Sequence, residues 1–206
     1  MQHIFIHGLG QTSLSWQKML TSMKDGAQAI CPDLSEIIGN KEVTYENLYR
    51  AFSEYYKELP SPVNLCGLSL GGTIALNYAI DYPNKVKSLV LIGTQYKMPK
   101  SLLKIQNVIF RILPQYTFKS MGFQKKDVIK LTTSMIDIDF SGQLNKISCP
   151  ALIVCGEKDG VNKKAAKGLS EKIEGAKLTY IENSGHAVNE NNPQKLAFEI
   201  ENFFCN

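Results

Sequence analysis

Gly67-Leu68-Ser69-Leu70-Gly71 lies between an apolar run, Val63-Asn64-Leu65-Cys66, and a helical pattern, Gly72-Thr73-Ile74-Ala75-Leu76-Asn77-Tyr78-Ala79. The spacing is G-x-S-x-G at a strand-to-helix handover. A turn this tight leaves no room for side chains at the flanking positions, Gly67 and Gly71, and it holds the serine in a strained backbone. The Ser69 Oγ is then lifted to the head of a sheet, above a helix N-terminus. Free N–H groups and a positive partial charge at that end favour any developing anion. The pattern also arises in ordinary glycine-rich loops, so its meaning depends on partners elsewhere in the chain.

A serine hydroxyl needs a neighbour to take its proton before it can attack. Imidazole does this near neutral pH, and a carboxylate holds the ring in the required tautomer. The chain has three histidines. His3 falls inside the opening apolar run and is expected to be a strand residue without chemistry. His7 opens His7-Gly8-Leu9-Gly10, directly after that strand, and His186 sits in the polar loop Asn183-Ser184-Gly185-His186. Asp159, in Gly156-Glu157-Lys158-Asp159-Gly160, follows the apolar run Ala151-Leu152-Ile153-Val154-Cys155. Ser69, Asp159 and His186 thus come in serine–acid–histidine order, each in a loop beyond an expected strand. Glu157 and Asp33 compete for the acid. Asp159 is preferred because its Gly-x-x-Asp loop can turn over the sheet edge, with Glu157 second.

The His7-Gly8-Leu9-Gly10 loop can bend its backbone inward, which makes the N–H groups of Leu9 and Leu70 the candidate donors to an oxyanion. A preorganised donor of this kind contributes about 10²–10³ in rate. Taken alone, the same segment is a simple strand-to-helix glycine turn.

These motifs together resemble the α/β-hydrolase superfamily, in its branch of small single-domain serine esterases. The resemblance rests on His7-Gly8-Leu9-Gly10 followed by Trp16, Gly67-Leu68-Ser69-Leu70-Gly71-Gly72, Pro150–Asp159 and Ser184-Gly185-His186, and it spans nearly the whole chain. It implies a doubly wound, mostly parallel six-stranded α/β sheet, with the second strand outside the first and the third on its other side. It also implies that His7 shapes the oxyanion loop rather than acting as base, that Trp16 packs the first helix, and that a helical lid is inserted at about residues 95–140. Two departures stand out. The two strands that most members place before the His-Gly loop are missing, and the usual Asp-x-x-Gly-x-Gly segment is replaced by Asp33-Leu34-Ser35-Glu36-Ile37-Ile38-Gly39.

The 206 residues, 44% of them hydrophobic, suit one domain over 1–206. Strands are expected near 2–7, 27–31, 62–67, 87–93, 150–156 and 177–182, and helices near 13–24, 44–59, 70–82, 163–173 and 192–204. The crevice between the first and third strands is then a topological switch point, where open α/β sheets bind ligands. No run approaches the ~18 apolar residues of a membrane span, so stable membrane insertion is not expected. The first strand begins too near Met1 for a signal peptide. Five separate cysteines (Cys31, Cys66, Cys149, Cys155, Cys205), without a C-x-x-C or Cys/His cluster, imply neither disulfides nor zinc. Reduced thiols in the cytoplasm are the expectation, with no metal and no cofactor.

Residues 95–140 carry eight basic and three acidic side chains. The formal charge of +4 for the whole chain therefore leaves the remainder slightly acidic. Leu102, Leu103, Ile105, Val108, Ile109, Ile112 and Leu113 share one broad side of a helix ending at Pro114, with Lys104 and Arg111 opposite. Three readings are open. The helix docks on the body with a solvated basic surface, its apolar side walls an acyl or aromatic site, or its cations attract an anionic substrate or acidic membrane. No aromatic-interleaved basic stripe suggests nucleic acid. Ser101-Leu102-Leu103-Lys104 spells S-x-x-K, but without S-D-N or K-T-G elsewhere a penicillin-binding-type site is rejected.

The sequence reading is therefore a hydrolase acting on a small-molecule carboxylic ester or thioester. A slow-turnover sensor or receptor of the same fold, and a C–C hydrolase or lyase using the same residues, remain as alternatives. A protein partner is not specified.

Overall fold

Alternation along the strands sorts two hydrophobic layers. Ile4, Ile6, Leu65, Leu89, Leu91 and Ile153 point into one buried cluster, and Phe5, Cys66, Leu68, Val90, Leu152 and Val154 into the other. A strand buried on both faces needs helices on both sides, and a parallel sheet supplies them through its crossovers. The computed structural model describes residues 2–24, 26–59 and 62–205. Pro60 and Ser61, ahead of the third strand, lie outside the described residues, as do the side chains of Ala27, Lys119, Ser120 and Met121.

The strands are β1 His3–Ile6, β2 Ala29–Ile30, β3 Val63–Leu68, β4 Val86–Ile92, β5 Ala151–Gly156 and β6 Lys177–Ile181. They form one sheet in the order β2-β1-β3-β4-β5-β6, with every pairing parallel. The chain steps from β1 out to β2 and then to β3 on β1's other side, so the order reverses at β1. The crevice beyond the C-terminal ends of β1 and β3 is the expected switch point.

The helices are α1 Gln17–Leu20, α2 Leu34–Ile38, α3 Tyr45–Tyr56, α4 Leu70–Asp81, α5 Lys100–Ile112, α6 Lys125–Ser134, α7 Lys163–Lys172, α8 Val188–Asn191 and α9 Pro193–Cys205. Asp33 caps α2 by accepting from the Ser35 amide (3.0 Å), and Thr44 caps α3 through the Asn47 amide (3.3 Å). The helix expected over 13–24 is broken. A 3₁₀ turn, Ser13–Trp16, leads into the four-residue α1, and the hydroxyls of Thr21 and Ser22 both donate back to the Lys18 carbonyl. Such bonds offer the backbone an alternative to the helical ladder. Trp16 is fully buried against Phe5, with ring centroids 5.4 Å apart.

Between β4 and β5, α5 and α6 pack on each other. The first of the three readings, docking of α5 by its apolar side, holds only in part: Leu103 and Leu113 of that side pack against the core. Asn107 is its sole buried residue, while Leu102, Ile105, Val108, Ile109 and Ile112 are exposed. Asn107 donates to Thr133 Oγ1 (3.1 Å) and accepts from the Thr132 hydroxyl. A polar anchor in α6 therefore sets the roll of this helix.

Candidate active site

Ser69 ends the β3 turn at φ 53°, ψ −111°, a region that costs a non-glycine residue about 1–3 kcal/mol. The turn persists because its surroundings leave no alternative. A Cβ on Gly71 would lie 2.2 Å from the Ile6 carbonyl oxygen, and one on Gly67 would lie 2.3 Å from that of Gly71. The start of α4 is thus pressed directly onto the end of β1. Gly71→Ala is expected to force the two apart at a cost of about 3 kcal/mol, lowering Tm by roughly 6–12 °C; thermal unfolding followed by circular dichroism checks this. The half-buried Ser69 side chain faces a cavity of about 260 Å³, walled by Leu9, Leu70, Leu103 and Phe110 and by His186.

His186 and Asp159 meet directly. Nδ1 of His186 lies 2.8 Å from Asp159 Oδ2, with the carboxylate buried and the imidazole 44% exposed toward the cavity. Burial alone would raise the Asp159 pKa, but the bonds from His186 and Asn162 and the charge of His186 outweigh it, so the carboxyl is held below its ordinary value. Among the described residues no hydrogen bond joins Ser69 to His186; the two share the walls of one cavity.

The competing acids are engaged elsewhere. Asp33 caps α2. Glu157 accepts from the Asn183 amide (3.0 Å) and so braces the histidine loop, where Asn183 has φ 57°. His7 is buried, which lowers its pKa. Its Nε2 accepts from the Leu34 amide (3.0 Å) and its Nδ1–H donates to the Gly8 carbonyl (2.9 Å). That pairing assigns the neutral Nδ1–H tautomer and occupies both ring nitrogens. His3 sits in β1, 3.2 Å from the Asn64 amide nitrogen and stacked on Phe204.

Leu70 opens α4, and its amide has no carbonyl of its own helix to bond. Leu9 lines the cavity beside it. Gly8, between His7 and Leu9, donates its amide to Gln11 Oε1 (3.3 Å). Gln11 Nε2 in turn donates to Asn189 Oδ1 (3.1 Å), and the fully buried Asn189 donates to the Ser15 carbonyl (3.2 Å). The glycine loop and the segment after His186 are thereby tied together across 178 residues.

Three residues that sequence reasoning missed complete the site. Asn162 Nδ2 donates to both Asp159 oxygens (2.9 and 2.8 Å), lies 3.1 Å from His186 Nδ1, and has its own Oδ1 held by Gln95 Nε2 (2.7 Å). Gly93, at φ +52°, backs the imidazole; a Cβ there would sit 2.9 Å from His186 Nδ1. The Asp159-x-x-Asn162 spacing, with the Asn162 amide reaching Asp159 Oδ1 (3.3 Å), was the available sequence signal.

Burial pushes the Cys31, Cys149 and Cys155 thiols up to about 11, which disfavours a thiolate nucleophile. Among the described residues no group of three or more His, Cys, Asp or Glu side chains could hold a metal ion, and no helix is long and apolar enough to cross a membrane.

A parallel sheet with a strained serine at its switch point and a His–Asp pair across the same cavity defines a hydrolase-type architecture. The family model described as alpha/beta hydrolase fold matches residues 4–121, more than half of the chain, and the protein belongs to that family. Monoacylglycerol lipase ABHD6 of Homo sapiens is 22% identical over 251 residues, covering 98% of this chain and 74% of that protein. The pimeloyl-(acyl-carrier protein) methyl ester esterase of Vibrio campbellii is 21% identical over 236 residues, covering 97% and 93%. Among solved structures, the enol-lactonase from Burkholderia xenovorans superposes with a TM-score of 0.84 at 15% identity, over 100% of this chain and 91% of that one. The chain is thus like carboxylic ester hydrolases along nearly its whole length.

Proposed function

We propose that the protein is a serine hydrolase of small carboxylic esters or thioesters, working through an acyl-enzyme. The observation that carries this reading is the strained Ser69, set in one cavity with a His186 imidazole whose Nδ1 is 2.8 Å from Asp159. Because Nδ1–H donates to the carboxylate, Nε2 is left as the free base. Ser69 Oγ attacks the carbonyl carbon as its proton passes to His186 Nε2. The oxyanion is held by the Leu9 and Leu70 amides, and Asp159 stabilises the imidazolium. Collapse expels the alcohol or thiol, which takes the proton from Nε2. Water, deprotonated by the same nitrogen, then releases the acid and restores Ser69.

The ester-hydrolysing activities in the names of the two relatives support this substrate class. The apolar walls favour an apolar acyl part, with α5 and α6 as the lid. No chemistry beyond the side chains and two amides is needed, so the reading invokes neither cofactor nor metal. The five unpaired thiols support a cytoplasmic setting.

A fluorophosphonate probe with mass mapping tests the assignment. Labelling is expected at Ser69 alone, and an ester panel should show a chain-length optimum. Folded protein that stays unlabelled would count against the enzyme and favour the sensor reading. Labelling with no ester turnover would favour C–C cleavage.

A further inference from the structure

We propose that the outward side of α5 is a docking surface for an anionic lipid bilayer. The helix is about 20 Å long and meets the body through Leu103, Gln106, Asn107 and Phe110. Its other apolar residues, Leu102, Ile105, Val108, Ile109 and Ile112, are 42–79% exposed. The spacing 102, 105, 109, 112 makes them one continuous stripe, with Val108 at its edge. Single exposed apolar side chains are ordinary; five aligned on one helix mark a contact surface.

Charge selects the occupant. Lys100, Lys104 and Arg111 follow the stripe along the Val108 edge of the same helix, where long side chains can lay their stems on an apolar layer and hold their charges at headgroup level. Lys104 and Arg111 are exposed, as is Lys126 at the start of α6. Lys100 is paired with the exposed Asp137 (2.6 Å), and Lys97 with Asp139 (2.8 Å). The segment still carries eight basic against three acidic residues. A second copy packed on this side would bring two such surfaces together, and like charges would oppose it. An anionic bilayer accepts both the apolar stripe and its cationic border. The helix would lie in the interface and span nothing. Its inner side, with Leu103 and Phe110, walls the cavity that holds Ser69, so docking presents that cavity to the lipid surface. This surface does not depend on Ser69 turning over an ester.

Flotation with phosphatidylcholine vesicles, with and without phosphatidylglycerol, tests the proposal. The protein is expected to float with the anionic vesicles and to be released by salt. Ile105→Glu/Ile112→Glu should weaken this binding about tenfold or more, and Lys104→Glu/Arg111→Glu by a similar factor. Neither pair touches the cavity, so both variants should keep wild-type turnover of a short, water-soluble ester and an unchanged thermal midpoint. Ser69→Ala should bind vesicles as wild type does, which separates this surface from the catalytic proposal. Failure of wild type to float, or unaltered flotation of the isoleucine variant, overturns it. So does a wild-type dimer in sedimentation that the isoleucine variant converts to monomer.

Discussion

Ser69→Ala is expected to cut ester turnover by on the order of 10⁶ while leaving the thermal midpoint in place, because alanine keeps the same Cβ in the same strained turn. Ser69→Gly separates the two properties further. Relief of the positive φ contributes about 1–3 kcal/mol, offset by about 0.5–1 kcal/mol for the extra freedom of glycine in the unfolded chain. The net is about 1 kcal/mol, or roughly 2–4 °C in Tm for a chain of this size. A more stable but inactive glycine variant would show that the elbow's strain serves presentation of Oγ rather than the fold. Adding His186→Ala to Ser69→Ala should cost almost nothing more, since the groups act as a unit. Single-turnover kinetics and calorimetry measure these effects. Ser69→Ala activity within tenfold of wild type would remove serine from the mechanism.

The placing of Ser69, Asp159 and His186 around one crevice was readable because each follows an expected strand, and a parallel sheet brings the loops beyond its strands to one edge. The signal was weakest for His186, whose strand, Lys177–Ile181, is not a continuous apolar run. Strand order was legible only through resemblance, since an apolar run names a strand and not its neighbour. The roll of α5 was not legible. Periodicity says which residues share a side, but not which side meets the body. Here Asn107, fixed by Thr132 and Thr133 some 25 residues later, decides it. The same reason hid Gln11 and Asn189, whose contact exists only in three dimensions. Gly93 gave no signal either, because it looks like any glycine after a strand until His186 is placed against it.

Asp159→Asn is expected to lower kcat by about 10⁴ near neutral pH, and the surrounding bonds give the reason. The wild-type carboxylate accepts from Asn162 Nδ2 on both oxygens and from His186 Nδ1–H on one. An amide at 159 offers a single acceptor oxygen to these two donors. When that oxygen serves Asn162, the new NH₂ faces Nδ1, the ring proton moves to Nε2, and the base for Ser69 is lost. Adding Asn162→Asp places a carboxylate near Nδ1, where the native Nδ2 stands 3.1 Å away, with Gln95 still donating to it. The double variant should recover about tenfold or more over Asp159→Asn alone, because a charge-assisted bond to the ring is worth about 1.5–3 kcal/mol. Equal activity of the two variants would show that the carboxylate's place, and not only its charge, is indispensable. Stability should shift in acid as well. Asp159 is held below its ordinary value, so its contribution is full above the unfolded carboxyl pKa of about 3.9 and fades as pH falls through the lower folded value. Asp159→Asn lacks that contribution, and its unfolding free energy should fall less steeply than that of wild type as the pH drops below about 4 in urea titrations.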